Sequence, residues 1–113
     1  MNRLFLIVGA MMLAGSASAQ DAKNGKVLYT TKYRCYSCHG YSGQNGPGAR
    51  LVPMKMTQEA FTAHVRNPIT MQPYTAKVMS DAELADVYAY IKTLPDSPAA
   101  KSIPLLSDIL SKN

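Results

Sequence analysis

Cys35-Tyr36-Ser37-Cys38-His39 is the stretch on which the reading of this chain turns. The cysteines stand three residues apart and His39 follows four after Cys35, so on a helical turn all three side chains leave from one side. Two thiols placed this way reach the two vinyl groups on one edge of a porphyrin, and the tethered ring then leaves the imidazole nitrogen little choice but the iron. C-x-x-C-H is the spacing of covalent haem attachment, which predicts one haem c held by Cys35 and Cys38, with His39 as a metal ligand. A structural zinc would need four protein ligands, and the chain has no third cysteine. A redox dithiol would want a βαβ pattern around it, and none is found.

Residues 1–19 support the haem reading because they look like an export signal. Arg3 gives a short positive region, Leu4 to Leu13 are apolar, and Ala17-Ser18-Ala19 supplies a cleavage site that predicts a mature start at Gln20. The apolar run is far shorter than the ~20 residues that span a bilayer, so the mature form is expected to have no membrane span and to be periplasmic. Leu13-Ala14-Gly15-Ser16 resembles a lipoprotein box with serine in place of the acylated cysteine, which argues against a lipid anchor.

Removal of that segment leaves 94 residues, one domain whose own core would be marginal and which a buried haem would complete. Eleven basic against seven acidic residues remain, a formal charge of +4. A mildly basic surface of this kind suits docking on an acidic partner or plain solubility. No dense basic run or basic amphipathic face suggests nucleic acid or membrane as a partner.

The predicted architecture is all-α. Asp21 caps a first helix over about 22–32, with Gly25, Leu28 and Tyr29 on one face; Gly25 there is either a close backbone approach or a tolerated glycine. A middle helix runs from Thr57 to Arg66, with Phe61 and Val65 inward and Pro68 as its stop. The last helix is the best marked. Ser80 and Glu83 form a capping box, Met79 and Leu84 a hydrophobic staple, and Asp81, Glu83 and Asp86 put acid near the positive end. Leu84, Val87, Tyr88 and Ile91 make its core stripe, and Pro95 closes it after Leu94. Residues 40–50 hold too much glycine for regular structure. No repeat and no strand is found.

The second axial position decides between electron carriage and gas or peroxide chemistry. Met71 is the leading candidate, because Pro68 and Pro73 stiffen the segment that would hold its thioether. The alternatives are His64, the other histidine, or another methionine or an open site. Met79 is explained as the staple, and Met54 and Met56 flank a lysine without a comparable frame.

Taken together, Gly25-x-x-x-Tyr29, Cys35-x-x-Cys38-His39-Gly40, Gly46-Pro47, Met71-x-Pro73-Tyr74 and Val87-x-x-Tyr90-Ile91 resemble, in order, the class I c-type cytochromes, over most of residues 21–94. The resemblance implies a cytochrome c fold of three to five short helices around one haem. It implies that the first and last helices cross, with Gly25 and Tyr29 meeting Val87, Tyr90 and Ile91. It also implies that the Pro47 carbonyl accepts from His39. The chain departs from the pattern in Ala49, where a leucine often stands, in lacking tryptophan, and in running nineteen residues past Leu94.

The expected organisation is therefore a signal at 1–19, a cytochrome c domain at 20–94, and a C-terminal extension at 95–113. In the extension Pro104 opens a short helix with Leu106, Ile109 and Leu110 on one side, which either folds back on the domain or docks on a partner. The expected function is one-electron transfer between redox proteins, a donor dehydrogenase and an acceptor oxidase or reductase, with no catalytic residue of its own. Lys32, Lys55 and Lys77 are candidates to surround the haem edge, and Arg50, Arg66 or His64 to contact its propionates, but plain surface solvation is the better-favoured reading for each of them. The rival readings are a dedicated haem c subunit of a dehydrogenase or oxidase complex, and a sensor or enzyme with an open sixth site.

Overall fold

The structure, a computed structural model, describes residues 20–112; the proposed signal at 1–19 lies outside the described residues. Helix α1 (Ala22–Val27) continues as a π-helical turn (Leu28–Lys32) and is followed by α2 (Tyr36–His39), α3 (Gln58–Arg66) and α4 (Asp81–Thr93). A 3-10 turn (Ala100–Ser102) and α5 (Pro104–Ser111) follow, and the described residues hold no strand.

Helix α1 begins where Asp21 accepts hydrogen bonds from the Lys23 and Asn24 amides (2.9 and 3.1 Å). Asp86, expected only to favour the start of α4, reaches across to α1. Its carboxylate accepts from the Asp21 amide and the Asn24 side chain, each at 2.8 Å. The close-approach reading of Gly25 holds: a Cβ there would overlap the Asp86 carbonyl and lie 2.8 Å from Tyr90 Cβ. One turn later Tyr29 packs edge-on against Tyr90, with ring centroids 5.4 Å apart.

The first helix has the expected extent but not the expected winding over its last five residues. Thr30 Oγ1 donates back to the Lys26 carbonyl (2.7 Å), a bond that competes with the regular ladder and bends helices. The Tyr33 amide then bonds the Leu28 carbonyl at 2.8 Å, an i to i−5 closure that ends the widened turn.

Thr57 caps α3 through the Ala60 amide (3.1 Å), and both halves of the Ser80–Glu83 capping box are formed on α4. Glu83 also accepts from Lys32 Nζ (2.7 Å) and Tyr33 Oη (2.9 Å), which ties the end of the π turn to the start of α4. Lys32 foremost, and then Tyr33, hold the Glu83 carboxyl below its ordinary value. A depressed folded pKa stabilises above the unfolded value of about 4.3, and that contribution disappears as pH falls through the folded value. The stability gap between the wild type and Glu83→Gln should accordingly be constant above about pH 5 and narrow below about pH 4. A gap in chemical-denaturation midpoints that stays the same from pH 6 to 3 would contradict this.

The core comprises Leu28, Tyr29, Val52, Phe61, Val65, Met79, Leu84, Val87, Tyr88 and Ile91. It includes both staple residues and the whole expected stripe of α4. Helices α1 and α3 both pack on α4, whereas the extensive contacts of α5 are with the 3-10 turn. Leu105, Leu106, Ile109 and Leu110 remain exposed, so the expected helix forms but does not fold back on the domain.

Candidate haem site

Arg34, at φ 53°, takes a left-handed conformation that ends the π turn and starts the next element at Cys35. Cys35 forms the N-cap of α2, and the His39 amide bonds its carbonyl at 3.0 Å. This helical turn is the geometry that sets both thiols and the imidazole on one side. Cys35 is half-buried and Cys38 exposed. Burial pushes the Cys35 thiol up to about 11, so it is not the activated thiolate a redox dithiol would require. Among the described residues no group of three or more His, Cys, Asp or Glu side chains could hold a metal ion.

His39 Nδ1 lies 2.6 Å from the Ala49 carbonyl. A carbonyl can only accept, so Nδ1 carries the proton and Nε2 is left with its lone pair free for a metal. The acceptor expected from the resemblance was Pro47, and the structure corrects this by two residues. The Gly48 amide takes the Cys38 carbonyl at 2.6 Å, which draws the chain at 48–49 alongside the ring. A Cβ on Gly48 would sit 2.9 Å from His39 Cε1, so the approach depends on glycine. Tyr29 Oη donates to the Gly40 carbonyl (2.7 Å), anchoring the start of the same loop on α1.

These groups face a cavity of about 800 Å3, within the range of small-molecule and cofactor sites. Cys35, Cys38, His39 and Met71 all line it, as do His64, Met54, Met56 and Met79. The structure thus brings together every ligand candidate that the sequence offered. Tyr29, Leu51, Phe61, Val65, Leu84, Val87 and Ile91 supply apolar walls, and Arg34, Arg50 and Lys55 positive charge, with no Asp or Glu among the lining residues. A large apolar ring with two carboxylates fits that lining, with thiols and a bare imidazole nitrogen at the wall.

Residues 20–91 match the family model described as Cytochrome C oxidase, cbb3-type, subunit III. The chain belongs to that family. It is a c-type cytochrome, and the family is one of haem proteins. A curated relative, the "Cytochrome bc1 complex cytochrome c subunit" of Corynebacterium diphtheriae, is 27% identical over 84 residues, covering 70% of the cytochrome and 29% of that relative. The cytochrome therefore spans under a third of the relative's length. No solved structure matches it significantly.

Other assignments change once side chains are placed. Arg66 donates to the Tyr74 carbonyl (2.9 Å), the Met79 carbonyl (2.6 Å) and Asp81 (2.6 Å), so it frames the Met71 segment instead of standing free for propionates. Arg50 is committed to Val52, Gln44 and Asp96. Lys32 pairs with Glu83, while Lys55 does line the cavity of the cytochrome. Ala49 was missed as a partner of His39 because a backbone acceptor leaves no mark in residue type; the flanking run of glycines was the available signal.

Proposed function

We propose that this cytochrome is a periplasmic carrier of single electrons, with one haem attached through Cys35 and Cys38 and ligated by His39 and Met71. The observation that carries the reading is the convergence of those four side chains on one apolar cavity with positive groups and no carboxylate in its lining. When bound, haem supplies a one-electron ferric/ferrous couple. The two cysteines fix the ring edge. His39, held in one tautomer by Ala49, offers Nε2 as a strong donor. Met71 offers a soft sulfur that favours the ferrous state. Tyr29, Phe61, Leu84, Val87 and Ile91 exclude water from the same space. No substrate bond is made or broken, so the chain needs no general acid or base. The partners are redox proteins, a donor dehydrogenase and an acceptor oxidase or reductase.

A second reading, a dedicated subunit of an oxidoreductase complex, is favoured by the exposed leucines and isoleucine of α5 and by the relative named as a complex subunit. A complex that survives gentle purification would favour it over a diffusible carrier.

The test of the main reading is the visible to far-red spectrum of the exported protein, oxidised and reduced, with and without carbon monoxide. A thioether-type haem spectrum with a far-red sulfur-to-iron band and no response to the gas is expected. A spectrum lacking that band yet indifferent to carbon monoxide would move the sixth position to His64. Ready binding of the gas would replace the carrier reading with an open-site sensor or enzyme.

A further inference from the structure

The base of the C-terminal extension is bonded to the loop that supports His39. Arg50 Nη2 donates to Asp96 Oδ1 (2.6 Å) and to Gln44 Oε1 (2.9 Å), while its Nε donates to the Val52 carbonyl (2.5 Å). Gln44 Nε2 donates to the Pro95 carbonyl (2.9 Å), the Ser97 amide donates to Asp96 (2.8 Å), and the Ser97 hydroxyl donates to Gln44. The network joins residues 95–97 to residues 44–52. The carbonyl that accepts from His39 and the amide nitrogen of Arg50 belong to one planar peptide unit. Pinning the Arg50 side chain on three sides anchors the Cα at one end of that peptide unit and so restrains the direction of the Ala49 oxygen.

We infer that Arg50 and Asp96 are positioning residues through which the start of the C-terminal extension sets the strength of the His39 to Ala49 hydrogen bond, and hence the reduction potential of the haem. The inference rests on His39 being the iron ligand. A strong bond from Nδ1 makes the imidazole a more basic ligand, which favours ferric iron and lowers the potential; a loosened carbonyl raises it. Whatever displaces residues 95–97, such as a partner that engages the extension, thereby changes the potential from outside the cavity. The pair itself is half-exposed and worth little as stability, so its effect lies in direction and not in holding the fold.

Charge and geometry make different predictions here. If only the charges of Arg50 and Asp96 matter, Arg50→Gln lowers the potential, Asp96→Asn raises it, and Arg50→Lys leaves it unchanged. If the network positions the carbonyl, Arg50→Lys raises the potential as well, because a lysine lacks the planar fork that binds three acceptors at once. The experiment is spectroelectrochemical titration of the full-length holoprotein, together with solvent exchange of the His39 Nδ1 proton, in wild type, Arg50→Lys, Asp96→Asn and the control Asp108→Asn. Arg50→Lys and Asp96→Asn should each shift the redox equilibrium two- to tenfold toward the reduced form, about 20–60 mV for one electron, and speed Nδ1 exchange, with the control unmoved. A wild-type potential and exchange rate in Arg50→Lys, with histidine coordination intact, would overturn this inference alone. Absence of His39 coordination in the wild type would overturn the proposed ligation and the inference with it.

Discussion

Met71→Ala is expected to turn a haem indifferent to carbon monoxide into one that binds it, with a fall in reduction potential of about 60 mV or more, a tenfold change or greater in the redox equilibrium. The thioether is a soft, neutral ligand that favours ferrous iron, so its loss both opens a coordination position and removes that preference. The segment around Met71 does not depend on the sulfur for its shape. The Tyr74 amide bonds the Val65 carbonyl at 3.2 Å, the Val78 amide the Thr75 carbonyl at 3.0 Å, and Arg66 holds the carbonyls of Tyr74 and Met79. Alanine should remove the ligand and leave the frame. Because His64, Met54 and Met56 line the same cavity, their alanine variants serve as controls and should remain indifferent to the gas. Opening of the iron in His64→Ala, with Met71→Ala spectrally unchanged, would transfer the sixth position to the histidine.

Gly25→Ala should be strongly destabilising for so small a substitution. Alanine would ordinarily gain about 1 kcal/mol over glycine inside a helix. Here its Cβ would overlap the Asp86 carbonyl and press on Tyr90 Cβ at 2.8 Å, and both neighbours belong to α4, whose other face is packed into the core and cannot retreat freely. Overpacking of this kind costs about 3 kcal/mol, so the clash outweighs the gain in propensity. For a domain of this size a net loss of about 2 kcal/mol lowers the melting temperature by roughly 8–16 °C. Thermal melts of the holoprotein followed in the far ultraviolet would show it, and Gly25→Val should melt lower still. A melting temperature within a degree or two of wild type for Gly25→Ala would mean that α1 and α4 can separate at little cost.

Features that obey local rules were legible in the sequence. Asp21, Ser80 and Glu83 cap helices wherever the chain takes them, and the stripe Leu84, Val87, Tyr88, Ile91 follows from periodicity alone. The placing of Cys35, Cys38 and His39 on one helical turn facing one cavity was legible in their spacing. What escaped depended on which distant elements meet. Asp86 reads as a dipole partner of its own helix until α1 is laid against it. Arg66 reads as a surface cation until the carbonyls of Tyr74 and Met79 converge on it. The shift from Pro47 to Ala49 depends on the path of a loop set by the Gly48 to Cys38 bond, to which side-chain type is nearly indifferent. The exposed face of α5 has the pattern of any amphipathic helix, and pattern does not say whether its own domain is what it covers.

The contact between Gly25 and Asp86 closes a loop of about sixty residues, and both halves of the proposed ligand set lie inside it. Such a closure costs an entropy that grows only as the logarithm of length, roughly 4 kcal/mol for this span before constants. The cost falls on one event, the docking of α1 on α4, and not on each segment between them. His39 and Met71 then sit on opposite arcs of a ring whose ends meet at one clasp, with α3 packed on α4 between them. Lengthening either arc by a few residues would change that entropy little, whereas loosening the clasp would release both arcs together. Loop segments that make none of the site's bonds can vary in length at little entropic cost, while the clasp has room for no side chain at all.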